Sequence, residues 1–182
     1  MARSVGKQFE DNIKASCPEW LLVYRPPDAA QSFNMTSKLR FSQHSPADFF
    51  FFNGENGVFY VIECKTFQGS CSFERDKNDK GIIHYYQVES LKKFSSYERV
   101  ISGFFLDFRK TDNTYFLSIQ DFIKMENKLN KKSFNEQDML NYCSPIVIEK
   151  KKLKVNYRYD IKNFLDDSSK LVKRKELDYD QK

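Results

Sequence analysis

Apolar residues repeat along this chain with two different periods, and segments with a helical period alternate with segments of continuous or alternating apolar character. Val5, Phe9 and Ile13 recur at helical spacing after Ser4, which can cap a helix, so residues 4–16 are predicted to be helical. The other apolar segments predict strands at 20–24, 47–53, 58–67, 99–108 and 114–119, helices at 84–97 and 119–129, and a late hairpin within 144–159. This order predicts an α/β domain around a mixed sheet flanked by helices.

In two segments of the chain, apolar residues do not repeat with a clear period, and these segments define the extent of the predicted domain. Residues 25–45 form a long polar stretch, and a connection of that length in a compact domain is usually a functional excursion or a mobile segment. From Asp166 onward the chain has little apolar content, which predicts a solvated helix or a disordered segment. We therefore expect one domain over 1–165, including the 25–45 excursion, and a polar tail over 166–182.

The composition narrows the class of protein. The 182 residues are 40% hydrophobic and 16% aromatic, which is enough for a core, and the net charge of +5 is compatible with a polyanionic partner such as nucleic acid. The four cysteines include no C-x-x-C pair and the two histidines add no zinc-ligand spacing, so we expect free thiols in a reducing cytoplasm. The sequence starts without the apolar stretch of a signal peptide, and its longest apolar run is too short to cross a bilayer.

The strand predicted at 58–67 carries two charged residues on one face. Because side chains alternate along a strand, Glu63 and Lys65 share that face with Phe59 and Val61, where packing alone would favour neither charge. Buried charges need a partner, a metal ion or solvent at a cleft. A structural ion pair between Glu63 and Lys65 is one explanation of this pattern.

A second explanation involves Asp48, which begins the preceding predicted strand. The turn signal at 54–57 makes the two strands antiparallel neighbours, which would place Asp48 beside Glu63. Two converging carboxylates suit Mg²⁺, or Mn²⁺ as a substitute, and such an ion can activate water and neutralise a phosphate. Lys65 could orient that water or stabilise developing charge. This arrangement predicts a site for phosphodiester hydrolysis.

The E-x-K pattern by itself is weak evidence, because it also occurs at 126–128 and 149–151. The second of these copies even has an acid upstream, Asp138. However, Asp138 lies in a segment with a helical pattern, and the 149–151 copy enters a lysine run that predicts a solvated face. Only the copy at 63–65 has a strand, a turn and a strand between its two acids.

The helix predicted at 84–97 places two polar residues on its apolar face. His84 and Gln87 share that face with Val88 and Leu91 and occupy the first turn, where an anion or a metal-bound water could lie. The alternative is a core glutamine with satisfied hydrogen bonds and a partly exposed histidine.

Six segments carry a resemblance to a known family. They are "GKQFEDNI", "YRPPDA", "SPADFF", "IECKTF", the glutamine in "HYYQVESL", and "LKVNYRYDIKNFL". In this order they resemble the RecU-type Holliday junction resolvases, which belong to the restriction-endonuclease-like nucleases with a P-D…(D/E)-x-K motif. The resemblance implies a restriction-endonuclease-like fold with a stalk at 25–45, and a homodimeric, structure-selective endonuclease that nicks four-way DNA junctions with Mg²⁺.

The resemblance also implies roles for individual residues. Carried over position by position, the catalytic residues are Glu10, Asp48, Glu63, Lys65 and Gln87, and the metal ligands are Asp48, Glu63 and Cys64. From the sequence alone, an ion pair with Lys14 one helical turn away also explains Glu10. The chain departs from the family pattern in its shorter stalk, in Ala47 between Pro46 and Asp48, and in a Tyr86-Gln87 pair where the family has His-Gln.

Basic residues fit a protein that faces DNA. Residues 149–158 carry five Lys or Arg against one Glu, and further basic residues lie in the stalk-like segment. The predicted DNA-binding residues are Arg25, Lys38, Arg40, Lys151, Lys152 and Lys154. Contacts of this kind bind phosphates without reading sequence, and a solvated face is the alternative explanation.

Three functions remain open from the sequence. The first is a junction-resolving endonuclease active in DNA recombination and repair. The second keeps the same core but cuts another DNA structure, as a repair or restriction nuclease. The third is a non-catalytic DNA-binding or assembly protein whose carboxylates are structural. The expected location is the cytoplasm of a bacterial cell, or of a host cell if the protein is phage-encoded.

Overall fold

The computed structural model describes residues 4–26 and 45–179, with side chains as far as residue 172. These residues form, in chain order, α1 Val5–Ser16, β1 Leu22–Tyr24, β2 Phe49–Asn53, β3 Val58–Phe67, β4 Ser70–Ser72, α2 Tyr85–Ser95, β5 Val100–Phe108, β6 Asn113–Ser118, α3 Ile119–Lys128, β7 Ser133–Asn135, α4 Glu136–Tyr142, β8 Ile146–Val147, β9 Lys150–Lys152, β10 Tyr157–Tyr159 and α5 Ile161–Tyr179. Most of the stalk-like segment predicted at 25–45, with Lys38 and Arg40, lies outside the described residues.

One mixed sheet organises the molecule. Its strand order is β1-β2-β3-β5-β6-β8, with β3 and β5 parallel and the other neighbours antiparallel. A parallel pair needs a crossover connection, and α2 lies in the connection between β3 and β5. Two short antiparallel pairs, β4 with β7 and β9 with β10, accompany this sheet. The predicted α/β domain with a central mixed sheet and flanking helices is confirmed.

The hairpin of β2 and β3 sets the register at the centre of the sheet. Its turn occupies residues 54–57, and Gly57 adopts a φ of +67°, a conformation that glycine takes without steric cost. Phe49 pairs with Ile62. The predicted hairpin is confirmed, although β2 begins at Phe49 and Asp48 lies just before it.

Both faces of the sheet are covered by side chains from the helices, as the apolar character of β3 at both faces indicates. One core lies on the α2 and α3 side and includes Val61, Val88, Leu91, Phe104, Leu106 and Phe122. The other lies on the α1 and α5 side and includes Phe9, Ile13, Tyr60, Ile62, Phe105 and Phe164. Of the phenylalanines after Asp48, Phe49 and Phe51 are fully buried in the second core, Phe50 packs against the first, and Phe52 is 38% exposed.

Two expectations for the helices need correction. Val5 is 48% exposed at the first position of α1, so the buried stripe of that helix starts at Phe9. The segment after Asp166 continues α5 as a helix through Tyr179, but it is not simply solvated, because Ser168 and Val172 pack into the protein. No helix in the described part of the chain combines the length and apolar character needed to cross a membrane.

Candidate active site at the end of the central hairpin

The register of β2 and β3 brings two predicted carboxylates to the same place. Phe49 pairs with Ile62, so one further step along the antiparallel ladder sets Asp48 opposite Glu63. The Oδ2 atom of Asp48 accepts a hydrogen bond from the backbone N–H of Cys64 at 2.8 Å. This bond replaces the ladder bond that β2 no longer supplies, and it holds the Asp48 carboxylate at the point where β2 ends.

Glu63 lies in the α2-side face of β3 and is only 4% exposed. Its Oε1 atom is 3.0 Å from Nζ of Lys65 and also accepts a hydrogen bond from Nε2 of Gln87. The alternation predicted for the strand therefore holds, and the structural ion pair considered from the sequence is present. That pair does not account for Gln87 or for the neighbouring Asp48, so an ion pair alone does not explain the cluster.

Electrostatics in this cluster are unbalanced towards negative charge. Burial, together with the Asp48 and Glu10 carboxylates, raises the pKa of Glu63 to about 7 against the opposing effect of Lys65. Burial lowers the pKa of Lys65, but the Glu63 and Asp48 carboxylates outweigh this effect, so its pKa lies above the ordinary value and it stays charged. The raised pKa of Glu63 shows that Lys65 does not offset burial and the neighbouring carboxylates, so a proton or a further cation is favoured at Glu63.

The start of α2 orients Gln87, which is 7% exposed, towards Glu63. The backbone N–H of His84 donates to Oε1 of Gln87 at 3.0 Å, which leaves the amide nitrogen to donate to Glu63. Glu74 fixes this turn, because its carboxylate accepts from the N–H of Tyr85 at 2.8 Å and lies 2.8 Å from Nδ1 of His84. The carboxylate of Glu74 thus occupies the first turn of α2. This turn was considered from the sequence as a place for an external anion, and a side chain of the protein takes that place.

Glu10 reaches the cluster from α1. It forms ion pairs with Arg25 and, at 3.7 Å, with Lys7, and not with Lys14 as the sequence suggested. Arg25, predicted to bind DNA, is therefore at least partly committed to Glu10. Glu10 acts on Glu63 through its charge, as the raised pKa of Glu63 indicates.

Cys64 contributes its backbone to this site, and its thiol points away. The thiol is buried in the α1-side core, and burial raises its pKa well above the ordinary value, which disfavours a thiolate. The N–H and C=O groups of one strand residue point to the same side, so the carbonyl of Cys64 faces the same edge as the N–H that bonds Asp48.

Comparison with known proteins places the chain in a family through one related sequence. Protein-family models do not identify it, since none of them matches the chain. It is 30% identical over 171 residues to the SPbeta prophage-derived uncharacterized protein YotM of Bacillus subtilis (strain 168), in an alignment that covers 87% of this chain and 83% of YotM. The chain belongs to the YotM family. Because YotM is uncharacterized, membership carries no activity with it, and function has to be argued from the site.

Sequence reasoning missed two residues at the site of this YotM-family protein. Tyr86 is 40% exposed, its ring stacks on His84 at 5.5 Å, and burial and the charge of Glu63 raise its pKa, so it lies at the mouth of the site. Its position beside Gln87 was a signal that could have found it. Glu74 gave no signal, because it lies in an irregular segment far from the motif.

The competing E-x-K copy does not form a similar cluster. Asp138 caps α4, where it accepts from the N–H of Asn135 at 3.0 Å and pairs with Lys131 at 2.7 Å. Glu149 is exposed. The role of Asp138 is therefore the capping of a helix, as its helical pattern suggested.

The basic run of the YotM-family protein divides into two parts. Lys151, Lys152 and Lys154 are exposed, as expected for residues that contact phosphates. Lys150 is an exception, because its side chain is 8% exposed and pairs with Asp107 and Asp112. The residues that the structure describes contain no group of three or more His, Cys, Asp or Glu side chains arranged to hold a metal ion.

Proposed function

We propose that this YotM-family protein is a Mg²⁺-dependent DNA endonuclease that cuts branched DNA, with four-way junctions as its preferred substrate. The observation that carries the proposal is the position of Asp48 opposite Glu63, with Lys65 bound to the Glu63 carboxylate. A buried Glu63 whose pKa is raised beside a second carboxylate has a reason to exist if the two carboxylates bind a cation. The RecU-type motifs supply the substrate class.

The donor set fits Mg²⁺ even though it contains few side chains. Mg²⁺ commonly uses one or two carboxylates and completes its shell with water and substrate phosphate oxygens. Asp48 and Glu63 would hold the ion, and the carbonyl of Cys64 faces the same edge. When bound, the ion supplies a water of lowered pKa and charge neutralisation at the phosphate.

The residues of the chain have separate tasks in this proposal. The N–H of Cys64 orients Asp48, and Gln87 orients Glu63. Lys65 stays charged and is placed to stabilise negative charge that develops on a phosphate oxygen. The exposed lysines of β9 bind the DNA backbone without reading sequence.

The broader expectations belong to the same proposal. We infer a restriction-endonuclease-like fold, supported at a coarse level by the mixed sheet with helices on both faces. A homodimer would place two such sites for paired nicks on opposite arms of a junction. The prophage origin of YotM supports a phage setting for this protein. A non-catalytic DNA-binding protein is the second candidate, because the Glu63–Lys65 ion pair also has a structural explanation.

Cleavage assays on three substrates test this function. Four-way, Y-shaped and linear duplexes are incubated with Mg²⁺ and wild type, Asp48→Asn, Glu63→Gln, or the control Glu89→Gln, which alters an exposed carboxylate of α2. We expect the first two variants to lose cleavage by at least about 1000-fold while they retain junction binding. Nicking that survives both substitutions would overturn the site, and equal cutting of all three substrates would overturn junction selectivity.

A further inference from the structure

A basic hairpin lies beside α1, on the other side of that helix from the carboxylate cluster. It consists of β9, β10 and the turn between them, and we call residues 150–159 the basic hairpin. Nε2 of Gln8 in α1 donates to the backbone carbonyl of Val155 at 3.1 Å, whereas Glu10 acts on Glu63 through its charge. Residues two apart on a helix point to nearly opposite sides, so about one helix width, roughly 10 to 12 Å, separates the hairpin turn from the candidate site.

Contacts at both ends hold the backbone of the basic hairpin in place. At its base, Nζ of Lys150 lies 3.1 Å from Asp107 and over the rings of both β10 tyrosines. At its turn, the Leu153 N–H donates to the carbonyl of Asn156 at 2.7 Å, and the bond from α1 fixes the same turn. The side chains of 151–156 are nevertheless all exposed. The hairpin is therefore a fixed projection with a free outer surface.

Two cations lie directly opposite each other on this outer surface. Lys151 pairs with Arg158 in the ladder of β9 and β10, and both side chains are exposed. Like charges in directly opposite positions destabilise a two-stranded ladder. Within 4–26 and 45–172, no Asp or Glu forms an ion pair with either side chain. A phosphate group bound by both cations would neutralise them, and the exposed Lys152 and Lys154 add to the same positive surface.

Apolar side chains lie at the turn of the basic hairpin. Val155 is 75% exposed, although its backbone carbonyl is held by α1. Leu153 is 43% exposed, and Val5 of α1, which is 48% exposed, lines the same cavity as Val155. A fixed backbone that keeps three aliphatic side chains in water has a reason to exist if they contact an apolar surface of a partner.

Branched DNA offers both kinds of surface that the basic hairpin can bind. Its backbone carries the negative charge, and at an open branch point the last base pair of an arm lacks a stacking neighbour and exposes a flat apolar face. Proteins insert aliphatic side chains against such faces. A linear duplex presents the same phosphates but keeps its base pairs stacked. An anionic membrane would also attract the lysines, but the small aliphatic area, without Trp or Phe, favours DNA.

We propose that the basic hairpin is a branch-point wedge. Lys151 and Arg158 bind a backbone phosphate, and Val155 covers the exposed face of a base pair at the branch. This inference rests on the proposed function for its substrate class and assigns two separate tasks. Selectivity for branched over linear DNA depends on Val155, which lies outside the carboxylate cluster, and affinity for any DNA depends on the two cations.

DNA binding by the full-length protein in EDTA tests the wedge without cleavage. Wild type should bind a four-way junction about 10-fold more tightly than a linear duplex of the same length. Val155→Thr keeps the shape of the side chain and adds a hydroxyl, so it should lose about 3- to 10-fold of this preference with unchanged affinity for the duplex. Val147→Thr, at a valine that is 50% exposed in β8, should behave as wild type. Equal binding of both DNAs by wild type, or a full preference in Val155→Thr, would overturn the wedge.

Neutral variants of the two cations test the phosphate contact. Lys151→Met and Arg158→Met should each weaken binding to junction and duplex alike and lower the slope of log affinity against log salt by about 1. Lys93→Met, at an exposed lysine of α2, should leave the slope unchanged. An unchanged slope in both hairpin variants would overturn the assignment of a phosphate to Lys151 and Arg158.

A junction with 2-aminopurine at the branch point locates the contact of Val155. Its fluorescence should rise on binding wild type, because an aliphatic side chain replaces a neighbouring base in the stack, and should rise less with Val155→Thr. The same base placed in the middle of an arm should show no such rise, and an equal rise at both places would overturn the wedge.

The wedge and the nuclease can fail separately. Selective binding that depends on Val155, without cleavage by wild type, would retain the wedge and reject the nuclease. Cleavage of junctions with the same selectivity in Val155→Thr would reject the wedge and retain the nuclease. Binding to phosphatidylserine vesicles that Val155→Thr weakens, together with no preference for branched DNA, would overturn the wedge in favour of a membrane surface.

Discussion

Two lysine–carboxylate clusters lie on opposite faces of the β3–β5 pair and use the same chemical groups differently. Asp107 receives two threonine hydroxyls and Lys150, so each buried charge has its complement. Glu63 receives Lys65 and Gln87 but faces two other carboxylates, and its pKa rises. The comparison teaches that a buried carboxylate with a complete set of partners is explained by the fold, whereas a buried carboxylate whose pKa is raised favours binding of a proton or a cation.

The largest expected effect concerns the lysine of the unbalanced cluster. In the proposed reaction, Lys65→Ala should lower the single-turnover rate of junction cleavage by about 100- to 1000-fold, because Lys65 is assigned the stabilisation of negative charge that develops on a phosphate oxygen. The matched control is Lys93→Ala, an exposed lysine of α2, which should cut at the wild-type rate. A wild-type rate for Lys65→Ala would remove its assigned role and make the two clusters alike.

Substitution in the cluster of Lys150 and Asp107 should change the stability of the fold. Lys150→Met should lower the free energy of unfolding by about 3 kcal/mol, because it leaves Asp107 buried without its cation. Urea denaturation measures this loss, and the neighbouring exposed lysine provides the control, with Lys151→Met expected to change stability by less than about 0.5 kcal/mol. Equally small losses in both variants would show that the Lys150 cluster is not structural.

A smaller effect should appear in the pH dependence of stability. The pKa of Glu63 rises from an ordinary 4.5 to about 7, so the folded protein holds this proton more tightly than the unfolded chain. This stabilisation is complete below the unfolded pKa and is lost as the pH rises through the folded pKa. In EDTA, Glu63→Gln should therefore gain about 1 to 3 kcal/mol relative to wild type between about pH 5 and about pH 9.

Denaturation of wild type, Glu63→Gln and Glu89→Gln at both pH values measures this difference. Glu89→Gln is the control for a carboxylate substitution on the surface of α2. A stability difference between wild type and Glu63→Gln that does not change with pH would mean that Glu63 carries no excess negative environment, and the contrast between the two clusters would disappear.

Local pattern was sufficient to predict the position of Asp48 beside Glu63. Side-chain alternation along β3 and a glycine-rich turn determine an antiparallel register within a few residues of chain. The ion-pair partner of Glu10 was mispredicted, because Arg25 approaches α1 only after β1 has packed into the sheet. Lys150 looked solvated within its basic run for the same reason, since its partner Asp107 lies more than forty residues earlier in the chain.

The sequence by itself determined the order of the main helices and strands, without the short pair β4 and β7, the hairpin at the centre of the sheet and the face on which Glu63 and Lys65 lie. These features depend on periodicity and turn chemistry, which act between neighbouring residues. Only the tertiary structure decided that Glu74 fixes the start of α2, that the Cys64 thiol is withdrawn into the core, and that Lys150 pairs with Asp107. Those features arise where distant segments pack together, and burial there sets which charges and amides are satisfied.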